Sequence, residues 1–469
     1  MASNLVVTVF FCTLPQNQQS MNHIVMVGAG VASINAATKL VDNNFEGKIT
    51  IIDMGNNPFL RKPAEVMTGF LGAGGWSDGK LTYHTSIGGQ LSKYTGEEKA
   101  MELFDQVIAN FKRFHPHPEE VQCSNPTAEP DFIKPYFGLK LFPVWHIGTD
   151  YLHEIGKNWY TYLVENGVEF RWRTKVMDID FENNDLMYVD DLGGTIVNEM
   201  DYDTLLFGVG KSGIDFGKKL AEKYDLPTEP KPVQIGVRFE APQKHFQKLI
   251  DISYDFKLYK KFDNVSLRSF CTNNNAAYVA VESTYGNHSY NGHAKKDEAY
   301  RNDMTNFGIL MEIRGIDNPF DWSREAVKKM QCNGTGTFYS PSNRIPSATS
   351  EGNLVRCVVV DSMEPLFDAL GEENAQYIED FITEMGIVFP TLKDDWGIYM
   401  PEVKYLSPEP LVNYEDLSLT RFPNVHFVGD ALSARGITVS GAQGTYVAEK
   451  LIRKTHRILT GALSPTGVY

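Results

Sequence analysis

The chain has 469 residues, with 44 Lys and Arg against 59 Asp and Glu, a formal net charge of −15, and 42% hydrophobic and 22% charged residues. This is a globular composition long enough for more than one core, each able to do without disulfides, and its acidic balance, with no basic stripe, excludes nucleic acid and anionic membrane surfaces as partners. The five cysteines, Cys12, Cys123, Cys271, Cys332 and Cys357, form no CxxC pair, which excludes a structural zinc site and a dithiol relay and fits a reducing, cytoplasmic setting.

Residues 1–20 contain a short apolar run with no basic segment before it and no small-residue cleavage site after it, so they read as a leader outside the fold. The pattern then predicts a strand at 23–27, a Gly turn at 28–30, a helix at 31–41 and a strand at 48–53, a βαβ opening. A Gly- and Pro-rich loop follows, and 91–144 reads as an insertion, helical to 114 and Pro-punctuated beyond it. Gly148-Thr149-Asp150 caps a helix reaching 165; 168–182 and 185–197 read as a strand pair, and 203–207 as a buried strand. Strand-like runs at 234–239, 277–281 and 355–360, interleaved with helices, mark a separate α+β region, and a strand at 425–428 and a helix at 438–455 close the chain. The expected fold is α/β: a discontinuous Rossmann-like domain built from 21–90, 145–232 and 405–469, with an insertion at 91–144 and a substrate domain at 233–404.

Gly28-x-Gly30-x-x-Ser33 directly follows an apolar strand, and Asp53 ends the next one. Gly28 permits the tight turn, Gly30 lets backbone approach a pyrophosphate at the helix N-terminus, a small residue such as Ser33 permits close helix–strand packing, and an acid at the second strand's end suits ribose hydroxyls. Together these predict a dinucleotide site that NAD and FAD would satisfy equally. A second formal GxGxxG, Gly208, Gly210 and Gly213, follows the strand at 203–207. No acid or Arg follows it at the right distance, and Pro227, Pro230 and Pro232 interrupt the next element, so a nicotinamide domain is not expected there. A flavin on this chain would then be reduced by the substrate, by a transiently bound pyridine nucleotide or by a separate flavin reductase.

The segment 422–430, ending in Gly429-Asp430, resembles the second FAD motif of the glutathione-reductase-like and hydroxylase-like flavoproteins. That resemblance implies FAD as cofactor, Asp430 against the ribityl chain, and a helix beginning near Gly436, Ile437 and Thr438 whose positive end faces the flavin. The loop Gly74-Gly75-Trp76-Ser77-Asp78-Gly79-Lys80-Leu81 is similar to the Ser-Asp-Gly-Lys-Leu loop of a family of FAD-dependent dehydrogenases of mostly unassigned substrate. The segments 208–213 and 235–240 match that family too, and the likeness spans most of 21–455. It implies that Gly74, Ser77, Asp78 and Gly79 lie over the cofactor, with Val176, Gly208 and Gly210 at it and Arg61 a further contact.

Lys80 has a cofactor-neutralising reading and a sharper one, because the chain also resembles flavin-dependent halogenases, in which a desolvated lysine of lowered pKa orients hypohalous acid. The Trp-x-Trp-x-Ile-Pro motif of tryptophan halogenases is absent, and Val439-Ser440-Gly441 matches their halide turn only loosely. His115, His117, His146, His288 and His293 lack fixed partners in sequence, and Trp76, Trp145 and Tyr83 fit core packing as well as an aromatic pocket. No GxSxG elbow, Walker loop or HExxH occurs. The expected function is FAD-dependent oxidoreduction of a small molecule. Its sharpest form is a halogenase using FADH2, oxygen and halide on electron-rich aromatics through Lys80; its alternative is a dehydrogenase or monooxygenase. A non-catalytic FAD-binding sensor stands as the third reading.

Overall fold

The computed structural model describes residues 22–460 apart from 63–64, 349–353 and 407; the leader at 1–20 lies outside the described residues. In chain order the elements that position the site are β1 (His23–Val27), α1 (Val31–Asp42), β2 (Lys48–Ile52), α2 (Glu97–Phe114), β3 (Gly138–Leu141), α3 (Leu152–Glu165), β4 (Glu169–Arg171) and β5 (Thr204–Phe207). They continue with β6 (Val233–Pro242), β7 (Phe256–Lys261), β8 (Val265–Asn273), β9 (Met304–Ile313), β10 (Gly397–Lys404), β11 (Val425–Phe427) and α4 (Ile437–Thr460).

Continuous apolar runs such as His-Ile-Val-Met-Val in β1 and Lys-Ile-Thr-Ile-Ile in β2 suit strands covered on both faces. They pair in parallel in a five-stranded sheet of order β11-β5-β1-β2-β4. Three chain segments far apart in sequence thus share one sheet, and the order reverses at β1. Helix α1 presents Ala32, Ala36 and Ala37 to this core, and α4 packs across it. A Cβ on Gly444 would stand 1.9 Å from the carbonyl oxygen of Ala32, so this crossing admits only glycine. The strands at 175–201 form a three-stranded antiparallel meander rather than a pair.

The second layer is an eleven-stranded, almost wholly antiparallel sheet whose middle runs β10-β6-β9-β8-β7-β3. Alternation divides its faces. Val233, Ile235, Val237 and Phe239 of β6, with Phe307, Ile309 and Met311 of β9, face the helices Pro319–Lys329, Glu364–Leu370 and Glu372–Val388. Gln234, Arg238 and Glu240 of β6, and Glu312 of β9, take the opposite face by the period of two.

The stretch 91–144, read as an insertion, contributes to both layers: Phe104, Val107 and Phe111 of α2 belong to the first core and pack near α4, while β3 pairs with β7 in the second sheet. The run at 355–360 forms only a two-residue strand, Val358–Val359. In keeping with the reading of Gly208 to Gly213, the chain after β5 makes a short helix, Ile214–Lys223, and then only a two-residue strand, Thr228–Glu229. Among the described residues no helix is long and apolar enough to cross a membrane.

Candidate active site

The carboxyl end of β1 meets that of β5 at the point where strand order reverses, the place where open α/β sheets bind ligands. The amide of Gly28 donates to Ile52 and that of Gly208 to Val27, which brings two glycine turns together. Gly28 has φ +100°, and a Cβ there would lie 2.4 Å from the Gly208 oxygen. Helix α1 begins at Gly30 with no side-chain cap and no acid in its first turn, so its first amides point outward with the positive end of the helix dipole behind them.

From this point a cavity of about 1370 Å³ extends to the polar face of the second sheet. Its lining includes Asp53, Thr174 and Val176, the glycines Gly28, Gly30, Gly208 and Gly210, and Gly74, Ser77, Asp78, Lys80, Gly429, Asp430, Gly436 and Ile437. Of the residues singled out in the sequence, these are brought together, while Ser33, Arg61, Gly79 and Thr438 stand behind the wall. Ser33 is buried on α1, and a Cβ on Gly208 would lie 3.1 Å from its Oγ. Thr438 Oγ1 is buried at the start of α4 without a hydrogen-bond partner among the described residues. Gly79 holds a left-handed turn, φ +67°, against the backbone of Gly148.

Arg61 is engaged by the fold alone, whereas Asp53 serves the fold while lining the cavity. The Arg61 guanidinium donates to the carbonyls of Phe70 and Gly72, both at 2.6 Å, and to those of Glu65 and Val66. It clamps the loop before the glycine-rich turn and does not reach the cavity; burial pulls its pKa down to about 10. Asp53 accepts from the amides of Ala29 (2.8 Å), Gly55 (2.7 Å) and Gly69 (2.7 Å), tying the first glycine turn to that same loop.

Lys80 is the centre of a buried ion cluster. Its Nζ lies 2.9 Å from Asp255 Oδ2 and 3.1 Å from Asp78 Oδ2, and it donates to the Thr272 carbonyl at 2.6 Å. Burial alone would depress this amine, but Asp255 and Asp78 outweigh it and hold the pKa above the usual lysine value. The lowered pKa expected from the halogenase likeness is therefore reversed. Around it, burial and Asp78 raise Cys271, whose thiol donates to Asp78 at 3.0 Å, to about 11. Burial drops His146, paired in register with Lys80, to about 4.

Sequence reasoning missed the cations on the second sheet. Arg238, fully buried, pairs with Glu402 at 2.7 Å and donates to Asn291 at 3.1 Å. Burial lifts Glu402 to about 7 against the pull of Arg238. Lys211, from the turn after β5, reaches across to pair with Glu282 of this sheet at 2.8 Å. Lys257, Arg268 and Lys404 also line the cavity. The available signal was the alternation of β6, which sets Gln234, Arg238 and Glu240 on one face and Val233, Ile235, Val237 and Phe239 on the other.

No protein-family model matches the chain, and no curated protein matches it. Among solved structures it is similar to a flavoprotein/dehydrogenase from Cytophaga hutchinsonii, at 13% identity and a TM-score of 0.40 over 94% of this chain and 80% of that one. A putative FAD containing monooxygenase from Photorhabdus luminescens shows 12% identity and a TM-score of 0.43 over 95% of this chain and 90% of that one. The halogenase PltM shows 11% and 0.39 over 94% and 70%. Likenesses this remote leave the site to be argued from its own residues.

Proposed function

We propose that the chain is an FAD-dependent oxidoreductase of a small molecule, of dehydrogenase or monooxygenase type. The observation that carries this reading is the single cavity joining the uncapped start of α1 to the start of α4 and then to a polar sheet face. At about 1370 Å³ it exceeds the roughly 300–1,000 Å³ of an ordinary ligand pocket, which leaves space for a dinucleotide and a second molecule. The donor set fits FAD. The α1 amides beyond Gly30 suit a pyrophosphate; Val176 and Thr174 line the cavity where an adenosine half would lie, and Ser77, Asp78 and Asp430 offer further polar groups on its wall. Gly436 and Ile437 at the start of α4 line it as well, with the buried, unpartnered Thr438 hydroxyl directly behind them. In the glycine-rich loop a Cβ on Gly74 would meet Val31 Cγ2 at 2.4 Å, so only glycine lets the loop close over α1.

Bound there, FAD supplies two-electron transfer; the chain's own residues bind, orient and exclude water. Asp53 fixes the turn that presents the α1 amides, and Arg61 fixes the loop that covers them. The first amides of α4 favour negative charge beside them. Substrate oxidation without oxygen and oxygen-dependent hydroxylation are both compatible with this arrangement.

Halogenation through Lys80 has less support, because its Nζ already serves two carboxylates and a carbonyl. Purified protein loaded with FAD, supplied with a flavin reductase, NADH, oxygen, bromide and an electron-rich phenol, should give no halogen mass shift above a no-enzyme control; halogenation lost in Lys80→Ala would restore that reading. Failure of the protein to retain FAD would remove the flavoenzyme reading altogether. A protein that keeps FAD but turns nothing over would be the sensor.

A further inference from the structure

The polar face of the second sheet carries a diagonal of charge that the cofactor reading does not use. Register places Gln234 of β6 opposite both Lys404 of β10 and Glu312 of β9, Tyr259 of β7 opposite Arg268 of β8, and Lys257 of β7 opposite Lys140 of β3. Positions two apart share a face, so Lys404, Gln234, Glu312, Arg268, Tyr259, Lys257 and Lys140 form one stripe, and each of them lines the cavity.

The charges on this stripe do not cancel. Arg268 donates to Gln234 at 2.8 Å and lies 3.5 Å from Glu312, so it is largely satisfied. Lys257 and Lys404 have no carboxylate at ion-pair distance among the described residues. The acids closest to them in sequence are committed elsewhere, Asp255 to Lys80 and Glu402 to Arg238. Their ammonium groups rest near aromatic rings instead, Lys404 Nζ 4.0 Å from the centre of Phe270 and Lys257 Nζ 5.3 Å from that of Phe142. Phe142 and Phe270 line the same cavity. Two partly buried amines without counter-ions beside aromatic walls are costly in an unliganded protein.

We propose that this end of the cavity recognises a small organic anion, its carboxylate or phosphate bound by Lys257 and Lys404 beside Arg268 and its apolar body against Phe142 and Phe270. The inference names the substrate class of the oxidoreductase proposed above and rests on that reading for its place in the reaction. Burial and then repulsion from Arg268 lower both amines, Lys257 to about 8, and a bound anion would offset that penalty and favour their charged form.

Cofactor-free protein titrated at constant ionic strength with benzoate, phenyl phosphate and benzamide, read by thermal shift, tests binding apart from flavin chemistry. The expected result is a saturable rise in Tm with one or both anions and none with benzamide, weakened at least tenfold in Lys257→Met/Lys404→Met and recovered in Lys257→Arg/Lys404→Arg. The two anions distinguish a carboxylate from a phosphate ligand. FAD retention by the Met variant should equal the wild type. Equal response to benzamide, unchanged anion affinity in the Met variant, or loss of FAD from a folded Met variant would overturn the proposal, the last by assigning the cations to the cofactor. If that variant does not fold, lysine acetylation of the wild type decides: protection of Lys257 and Lys404 by benzoate or phenyl phosphate but not benzamide upholds the proposal, and no protection ends it. A chain that never binds FAD still gives a readable titration, so the two readings fail separately.

Discussion

A buried lysine between two buried carboxylates is a different chemical object from a free amine. Lys80 holds Asp78 and Asp255 in place, and removing one member of such a group leaves uncompensated buried charge at a cost of about 3–5 kcal/mol. Lys80→Met should therefore lower the urea midpoint severely, and adding Asp255→Asn should recover part of the loss. Its pKa is raised on folding, so the stability it contributes is complete below the unfolded value of 10.5 and is lost as pH climbs through the higher folded value. His146 behaves oppositely. Its folded pKa of about 4 lies below the ordinary 6.5, so the unfolded chain binds the extra proton and stability should decline as pH falls from 6.5 toward 4. Denaturation midpoints of His146→Gln across that window should show a shallower decline than those of the wild type.

At the level of elements, α1 and α4 are held by a contact in which backbone replaces side chain. Gly444→Ala would drive a methyl into the Ala32 carbonyl; overpacking of this kind costs about 1–3 kcal/mol. Because α1 carries the uncapped amides, the substitution should weaken FAD retention along with stability, as equilibrium dialysis would measure. The βαβ opening was legible because local signals agree there: an apolar strand, two glycines and a terminal acid at fixed spacing. The closing strand and helix were legible for the same reason, although α4 runs to Thr460 rather than 455. Where α2 packs was not legible because its partner, α4, lies hundreds of residues away, and an amphipathic pattern does not say against what it packs. The same limit hid the sites of Arg61 and Lys80. Sequence identifies a cation near a glycine loop, but only the folded chain reveals that its valences are taken by carbonyls or carboxylates. Lys257, Arg268 and Lys404 escaped notice because they come from β7, β8 and β10 of one sheet, which only the folded chain brings onto a common face, and cross-strand neighbours leave no short-range trace.

Across the whole molecule, the first sheet supplies a positive helix end and the second a cationic wall, with one cavity between them in a chain of net charge −15. A ligand confined to the folded state stabilises it by mass action, about 2.7 kcal/mol at a hundred times its dissociation constant. FAD should accordingly raise Tm in proportion to the logarithm of its concentration. Riboflavin, without the diphosphate and adenosine that the α1 amides and the Val176 end would hold, should do so far less at equal concentration. Calorimetry with the two ligands measures the difference.

The sharing of one sheet by three distant segments also shapes the protein's birth. Helix α1 is complete at Asp42, yet the helix that covers it ends at Thr460. At synthesis rates of about 5–20 residues per second, the apolar face of α1 waits on the order of 20 to 80 s on the ribosome before its cover exists. During that interval the nascent chain exposes the βαβ unit it will later use to grip its cofactor, which makes this early segment a natural client for a chaperone and leaves cofactor loading to follow release of the finished chain.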